Sequence, residues 1–554
     1  MVWSWRRRAS GGGLASSRWP SRDELPWVLL TCGICIGWEL IFARFFALYR
    51  FHTPGGHRLW GVADDVYISA NFARTFAHGE GLLWYPGAPR VEGFSNPTWV
   101  LLMAVFHALP FYFNSHLGAY LGVVNALLIG TLGVCFARTV RRLVSANVPT
   151  PSLVRVALAV FVAVSSAISF CFCAAIGFET ALVTLVAFAA FAEVLVRREE
   201  ARLLRVALLV AFAVWSRLDA PVVCTGAIVA TLVYVRFDRR LAAAAALCAT
   251  LIGTSFVARH AYYGEWMPNT YYLKATGWPF RPRVAQGLFF AWVPVRLCGF
   301  LLLPAWALAC RRWGRLAIGA SLAIVVYALT LGYSVLNGGD IIMAFGQDRF
   351  TAMGVVFLAF GLVIAILRTD VHRALAPFAI AGLIVVALGP IWVPSPAAAL
   401  HGFAAFLDLR RPALIEDLMV ENWVDQAYVL KRITRPGARV ALCGAGTLVY
   451  FSQRGGVDIL GKIEPIVAHE TVPEQPPREA RCWRGFPGAG HNKEDLNAVF
   501  DARKPELSVV VPPRKHAREY VRITYDGMLF FARKKTKVVK WSMVTTEGAA
   551  KPGQ

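Results

Sequence analysis

The stretch Gly61-Val-Ala-Asp64-Asp65-Val-Tyr-Ile-Ser-Ala-Asn-Phe-Ala-Arg74 follows the first long apolar segment of the chain. It continues through Gly79-Glu-Gly-Leu-Leu-Trp-Tyr-Pro-Gly87 to Arg90-Val-Glu92-Gly-Phe-Ser-Asn96-Pro-Thr-Trp99. An acid at the centre of a membrane helix costs roughly 2.5–3.5 kcal/mol, so two adjacent carboxylates at the edge of an apolar segment point to function. A connection of about 50 residues is long enough to be either functional or disordered. Its aromatic residues and regular texture speak against disorder.

The surrounding composition is that of a polytopic α-helical membrane protein. Of 554 residues, 57% are hydrophobic and only 16% charged, against about 25% charged in soluble domains. The formal net charge is +23, but the arginines cluster in short loops between apolar runs rather than along one face. That distribution follows the positive-inside rule and argues against a nucleic-acid partner. Most of the eleven cysteines, including the pair Cys32-x-x-Cys35, fall inside apolar runs and read as packing residues. Cys443 and Cys482 lie in the polar C-terminal region, where a disulfide is allowed if that region is outside the cytoplasm.

Residues 1–26 are basic and form a cytoplasmic N-terminus; the apolar run after them is too long for a signal peptide and is expected to remain as the first span. The transmembrane part extends over 27–393, with spans at about 27–48, 117–137, 153–172, 179–196, 203–216, 220–235, 241–258, 285–309, 314–334, 351–367 and 374–393. Residues 98–113 are also apolar but short. Treating them as a juxtamembrane helix inside a first outer loop, 49–116, places every Arg-rich loop on the same, cytoplasmic side. The prediction is therefore about eleven spans. The polar constellations between spans then all fall on the outer side: Gly177-Phe-Glu179-Thr180, Ser216-Arg217-Leu-Asp219-Ala-Pro221, Pro268-Asn269-Thr-Tyr271-Tyr272-Leu-Lys274, and Asn337-Gly-Gly-Asp340 through Arg349-Phe350.

Residues 394–535 change texture. A helix is expected over 415–433, and short strands over Arg439–Cys443, Val457–Leu460, Leu507–Val511 and Met528–Ala532, giving a small extracytoplasmic α/β domain. The tail 536–554 is basic and reads as flexible.

A ring of carboxylates with Lys and Arg at membrane level suits a sugar carried on a lipid phosphate. Transfer needs a base for the acceptor hydroxyl and cations for the departing phosphate. Asp64 is the first candidate base and Asp65 the second; neighbours in sequence point to different sides, so one meets the acceptor while the other orients a loop, an Arg or a metal. Lys274 and Arg349 are the phosphate-holding candidates. Glu92, Asn96, Glu179, Arg217, Asp219, Asn269, Tyr272 and Asp340 are placed around the substrate, with His491 and Lys493 closing it from above. Structural readings stand beside these. Glu179 is also suited to capping a helix, Arg217 and Asp219 to a buried ion pair, the tyrosines to an interfacial belt, and His491 to a loop. The metal content is unknown: a divalent ion fits beside Asp65, but no residue pattern requires one.

The run from Asp64 to Trp99 resembles the first outer loop of bacterial GT-C membrane glycosyltransferases, and within them the group containing the mycobacterial terminal arabinofuranosyltransferase. Gly177-Phe-Glu179-Thr180, Pro268-Asn269-Thr-Tyr271-Tyr272-Leu-Lys274, Gly338-Gly339-Asp340 with Arg349-Phe350, Asp458-Ile-Leu-Gly461-Lys462 and Gly488-x-Gly-His491-Asn-Lys493 extend the resemblance over most of the chain. It implies a polyprenyl-phosphate sugar donor, hexosyl or pentosyl, and a catalytic Asp in the first outer loop. The acceptor would be an envelope glycan or glycolipid outside the plasma membrane of a bacterium. The rival expectation is a transporter or flippase of lipid-linked sugars, which would carry broken helices or paired repeats near the midplane; the sequence has no evident repeat.

Overall fold

The computed structural model describes residues 20–21, 23–146, 150–291, 315–340, 343–344, 347–368, 420–472, 490–493 and 495–546. Helix α1 (Leu25–Leu48) starts on Pro26, whose missing N–H is no loss in a first turn. A short antiparallel hairpin follows, β1 (Arg50–His52) with β2 (Arg58–Trp60). Next come two helices that pack on each other, α2 (Asp64–Ala77) and α3 (Pro97–His107). The expected juxtamembrane helix is α3. Its 11 residues reach about 16 Å at 1.5 Å per residue, well short of a bilayer.

The bundle continues with α4 (Leu117–Ser145), α5 (Leu153–Ser166), α6 (Ile168–Ala175), α7 (Thr180–Arg197), α8 (Leu203–Ser216), α9 (Pro221–Tyr234), α10 (Arg239–Tyr263) and α11 (Asn269–Ala275). Beyond these lie α12 (Arg315–Leu336), the two-residue strands β3 (Met343–Ala344) and β4 (Gln347–Asp348), and α13 (Arg349–Arg368). The core of α13 is Gly-, Ala- and Val-rich and is buried on all sides between α12, α5, α6 and α7. It is the hub of the bundle.

Among the described residues, six helices are long and apolar enough to cross a membrane, or seven if the bent pair α5–α6, kinked by 43°, is one span. This is fewer than the eleven expected. Helices α8 and α9 have 14 residues each, about 21 Å, so they are shorter than a full crossing. The expected span 374–393 and most of 285–309 lie outside the described residues.

The C-terminal domain contains α14 (Val420–Ile433), α15 (Thr447–Ser452), α16 (Leu496–Arg503) and a six-stranded mixed sheet in the order β10-β8-β9-β7-β5-β6. Its strands are β5 (Arg439–Leu442), β6 (Gly455–Asp458), β7 (Leu507–Ser508), β8 (Tyr520–Tyr525), β9 (Met528–Arg533) and β10 (Thr545–Thr546). The parallel neighbours β5 and β6 are joined through α15, and β7 lies parallel to β5 on its other side. The β8–β9 hairpin turns on Asp526-Gly527, both at positive φ (51° and 72°), with Tyr525 facing Met528. That two-residue turn matches the twist of the strands. The turn pairs β9 with β8, a strand not among those expected from sequence. Cys443 is disulfide-bonded; Cys482 lies outside the described residues.

One apolar core runs without interruption from α1 through α2 and α3 into the sheet. Further ties bind the two parts: Asp425 on α14 accepts from Thr53 Oγ1 (2.5 Å) and from Gly55 N (2.7 Å), and Arg74 donates to Tyr450 O (2.7 Å). These contacts fix the C-terminal domain over the first loop.

Candidate active site

The ends of α7, α8 and α13, the start of α2, helix α11 and the loop after β6 surround one cavity of about 430 Å³. Its wall carries Asp65, Asn96, Glu179, Arg217, Asp219, Lys274 and Arg349, all nominated from sequence. Residues from distant parts of the chain meet because each sits at an element terminus on the same end of the bundle. The α6–α7 turn approaches the first loop through Gly177 (φ 97°), where a Cβ would lie 2.8 Å from Val62.

Two charged groups line the cavity. In the first, Arg217 is bidentate to Asp219 (2.5 and 3.0 Å) and reaches Glu179 Oε1 at 2.8 Å. Asn96 Nδ2 donates to Glu179 Oε2 (2.9 Å), while its Oδ1 accepts from Ser69. This group carries one guanidinium against two carboxylates.

The second group has the opposite balance. Lys462 Nζ donates to Asp65 Oδ1 (2.5 Å), and Arg349 donates to Asp65 Oδ2 (3.1 Å) and to Asp340 Oδ2 (2.6 Å). Lys274 Nζ stands 3.9 Å from Asp340. Three cations thus face two carboxylates. Asp348 sets Arg349 in place: its Oδ1 accepts from the backbone of Phe350 (3.0 Å) and Thr351 (2.8 Å), capping α13.

The adjacent carboxylates Asp64 and Asp65 point apart. Asp64 Oδ1 accepts from Thr447 N and Thr447 Oγ1, both at 2.7 Å, and Oδ2 accepts from Gly446 N at 3.3 Å. It caps α15 and is no part of the cavity wall. Burial raises its pKa, against the pull of Lys462 and Thr447. For Asp65, burial acts in the same direction, but Lys462, Arg349 and Lys274 together outweigh it and hold the carboxyl well below the usual range. Lys274 moves down to about 8, through burial and then the repulsion of Arg349.

Other nominated residues lie behind the wall. Glu92 is buried against Arg259 (2.5 Å), and burial lifts it to about 7 despite that partner. Asn269 Nδ2 donates to the carbonyls of Gly461 (2.8 Å) and Lys462 (3.2 Å), so it holds the loop that carries Lys462. Tyr272 donates to Glu265 and stacks on His469, and Lys493 Nζ donates to the carbonyls of Tyr272 and Ala468. Asp340 is set behind the wall and holds Arg349 and Lys274, which line the cavity. His491 is near Lys462, Asp65 and Lys274, and burial followed by Lys462 depresses it to about 3.

Lys462, Arg259 and Asp348 were given no role from sequence. The one sequence signal for Lys462 is its place after Asp458-Ile-Leu-Gly461, just past a short strand. Among the described residues, no three His, Cys, Asp or Glu side chains are grouped as metal ligands are; the neighbours of Asp65 are cations.

No protein-family model matches the chain. No curated protein matches it either. Solved structures do. ArnT from Cupriavidus metallidurans in the apo state aligns at 14% identity over 81% of this chain and 89% of its own, with a TM-score of 0.48. The same protein bound to undecaprenyl phosphate aligns at 13% identity over 78% and 85%, TM-score 0.46. The archaeal oligosaccharyltransferase AglB from Archaeoglobus fulgidus, in complex with an inhibitory peptide and a dolichol-phosphate, aligns at 11% over 94% and 76%, TM-score 0.38.

Proposed function

We propose that this protein is a membrane glycosyltransferase that moves one sugar from a polyprenyl phosphate to a hydroxyl of an envelope glycan or glycolipid. The observation that carries this reading is the group of three cations, Lys274, Arg349 and Lys462, around Asp65 at one wall of a cavity at the bundle end. Lys, Arg and a partly buried carboxylate in one site provide both a phosphate grip and a proton acceptor.

Asp65 is a weak base while its two oxygens are taken by Lys462 and Arg349. A donor phosphate competes for those cations. As they turn to it, Asp65 recovers basicity in the complex where it is needed. The acceptor hydroxyl gives its proton to Asp65, its oxygen bonds to the anomeric carbon, and the bond from that carbon to the phosphate oxygen breaks. The electron pair leaves on the phosphate, held by Lys274, Arg349 and Lys462. Asp64, the first candidate on sequence, takes the positioning role instead, because its oxygens are committed to Gly446 and Thr447.

The proposed orientation puts the cavity and the C-terminal domain outside the cytoplasm, supported by the arginine-rich loops at the other end of the bundle and by a disulfide at Cys443. An arabinofuranosyl-type donor is what the resemblance suggests; the sugar itself is for the donor panel to identify. The test is transfer from a panel of radiolabelled polyprenyl-phosphate sugars to envelope acceptor, comparing wild type with Asp65→Asn. Loss of transfer with donor binding retained supports the reading; transfer undiminished in Asp65→Asn refutes the role of Asp65. No transfer from any donor by wild type, with lipid-linked sugar moved across vesicles, establishes the transporter instead.

A further inference from the structure

A second cavity, of about 760 Å³, lies between α1, α4 and α7. It is lined by Arg138, Arg142, Arg197, Arg202 and Arg205, with Glu39 and Glu193. Five guanidiniums against two carboxylates leave a surplus of three positive charges. Helix α7 relates this groove to the active site. Glu179 precedes its first residue and Arg197 is its last, about 27 Å apart at 1.5 Å per residue. That is close to the roughly 30 Å of a bilayer core, so the groove opens at the opposite membrane face.

The groove is built rather than incidental. Glu193, itself buried, holds Arg197 at 3.0 Å and Arg205 at 3.4 Å, and accepts from the backbone N of Arg202 at 3.4 Å. The turn that makes this arrangement places Arg198 at φ 56°, ψ −118°, a backbone region that non-glycine residues rarely adopt. Across the groove, Arg138 and Arg142 stand one turn apart on α4; both are exposed, and neither has an ion pair among the described residues. Cys135 lies among Arg138, Arg142 and Arg205, so the two walls converge on one point. Away from the arginines the lining is mostly apolar, with Ala126, Leu127, Val134, Ala189, Ala192 and Val196; Thr131 and, beside Gly130, Glu39 interrupt it. Along α4 it runs from Ala126 to Arg142, about 24 Å, and Leu127 is 69% exposed on its lipid side.

A cationic mouth over an apolar channel open to the bilayer fits an amphiphile with an anionic head. We infer that this groove binds an anionic phospholipid of that leaflet, its phosphate between the α4 arginines and the Glu193-held arginines and its acyl chains along α4. Basic pockets between helices at a membrane surface take lipid phosphates in this way. Because the groove is open on its side, the bilayer's own lipid is the occupant, and its charge is what the arginines select. The inference does not depend on the proposed sugar transfer.

The test is native mass spectrometry of the full-length protein in detergent, titrated with phosphatidylglycerol and with phosphatidylcholine. Wild type is expected to hold phosphatidylglycerol about thirtyfold more tightly than Arg138→Ala/Arg142→Ala does, with phosphatidylcholine unchanged. The control Arg239→Ala/Arg240→Ala removes two exposed arginines outside the groove and is expected to bind as wild type. Equal losses in both double variants overturn the site in favour of diffuse surface attraction. No preference between the two lipids in wild type, or displacement of the phospholipid by millimolar inorganic phosphate, also overturns it.

Discussion

Asp64 and Asp65 are consecutive in the chain, yet each is met by a different loop of one parallel strand pair. Asp64 accepts from Gly446 and Thr447 in the connection after β5, and Asp65 from Lys462 in the connection after β6. About 100° of helix rotation per residue turns one carboxylate to the sheet and the other to the cavity. The carboxyl ends of parallel strands are where α/β domains commonly receive ligands. Here they receive the first loop of the bundle.

Substituting the two aspartates should therefore give opposite phenotypes. Asp64→Asn turns an amide N–H₂ toward a row of donors, so at least one is left unpaired, at about 1–3 kcal/mol. The expected result is a lower melting temperature and faster proteolysis of the C-terminal domain, with activity falling in proportion to folded protein. Asp65→Asn should keep the melting temperature within a few degrees and lose transfer by about 10²-fold or more. Activity per folded molecule, measured for both, separates the two; equal losses would remove the division of roles.

Lys462→Met should weaken the donor interaction and alter the acid side of the pH profile. Asp65 is depressed in wild type, so it stays ionised throughout the ordinary carboxylate range. It should give kcat/KM no acid limb between about pH 4 and 7. Without Lys462 the largest cation acting on it is gone, its pKa rises, and activity should begin to fall as pH drops through the new value. Lys462→Arg should restore the flat profile in part. A flat profile in Lys462→Met would mean that Asp65 does not titrate in the rate-limiting path.

An alkaline limb is expected from Lys274. Burial and Arg349 bring it down to about 8 in the free protein, so its positive charge is lost as pH rises through that value and the phosphate grip weakens. The fall should appear in kcat/KM, which reports the free enzyme, and be smaller in kcat, because a bound phosphate stabilises the charged amine. Lys274→Arg should abolish the limb, since a guanidinium stays protonated throughout this range. Persistence of the limb in that variant would assign it to another group.

Much of the cavity was legible because its residues sit where hydropathy changes. Glu179, Arg217, Asp219 and Arg349 each lie at the edge of an apolar run, and charges at such places stand out against their surroundings; Lys274 stands in the connection between two runs. What could not be read was which of two neighbouring carboxylates faces in. That depends on Thr447, more than 380 residues away, and no local pattern carries it. Arg259, just past the apolar run 241–258, carries no such local signal, and its pairing with Glu92 of the first loop is long-range. The eleven expected spans exceed the six or seven found among the described residues, which do not include 292–309 or 374–393. Helices α8 and α9 satisfy a hydropathy window while having only 14 residues each, and the α8–α9 connection that carries Arg217 and Asp219 is buried.

The Arg217 group allows a test that separates packing from function. Arg217 binds Asp219 and Glu179 within 3.0 Å and is 4% exposed. Arg217→Leu leaves two buried carboxylates without their cation, which costs about 3–5 kcal/mol. Arg217→Lys keeps the charge but cannot serve both acids through a planar fork, so it should recover only part of the loss. In the triple variant Glu179→Gln, Arg217→Leu, Asp219→Asn the uncompensated charge is gone, and stability should return to near the wild-type value. If the group merely packs the bundle end, transfer should return with it. The position of Asn96, Glu179 and Asp219 on the cavity wall predicts instead a triple variant that melts like wild type and still binds donor poorly. Melting temperature and donor affinity, measured on the same preparations, decide between the two.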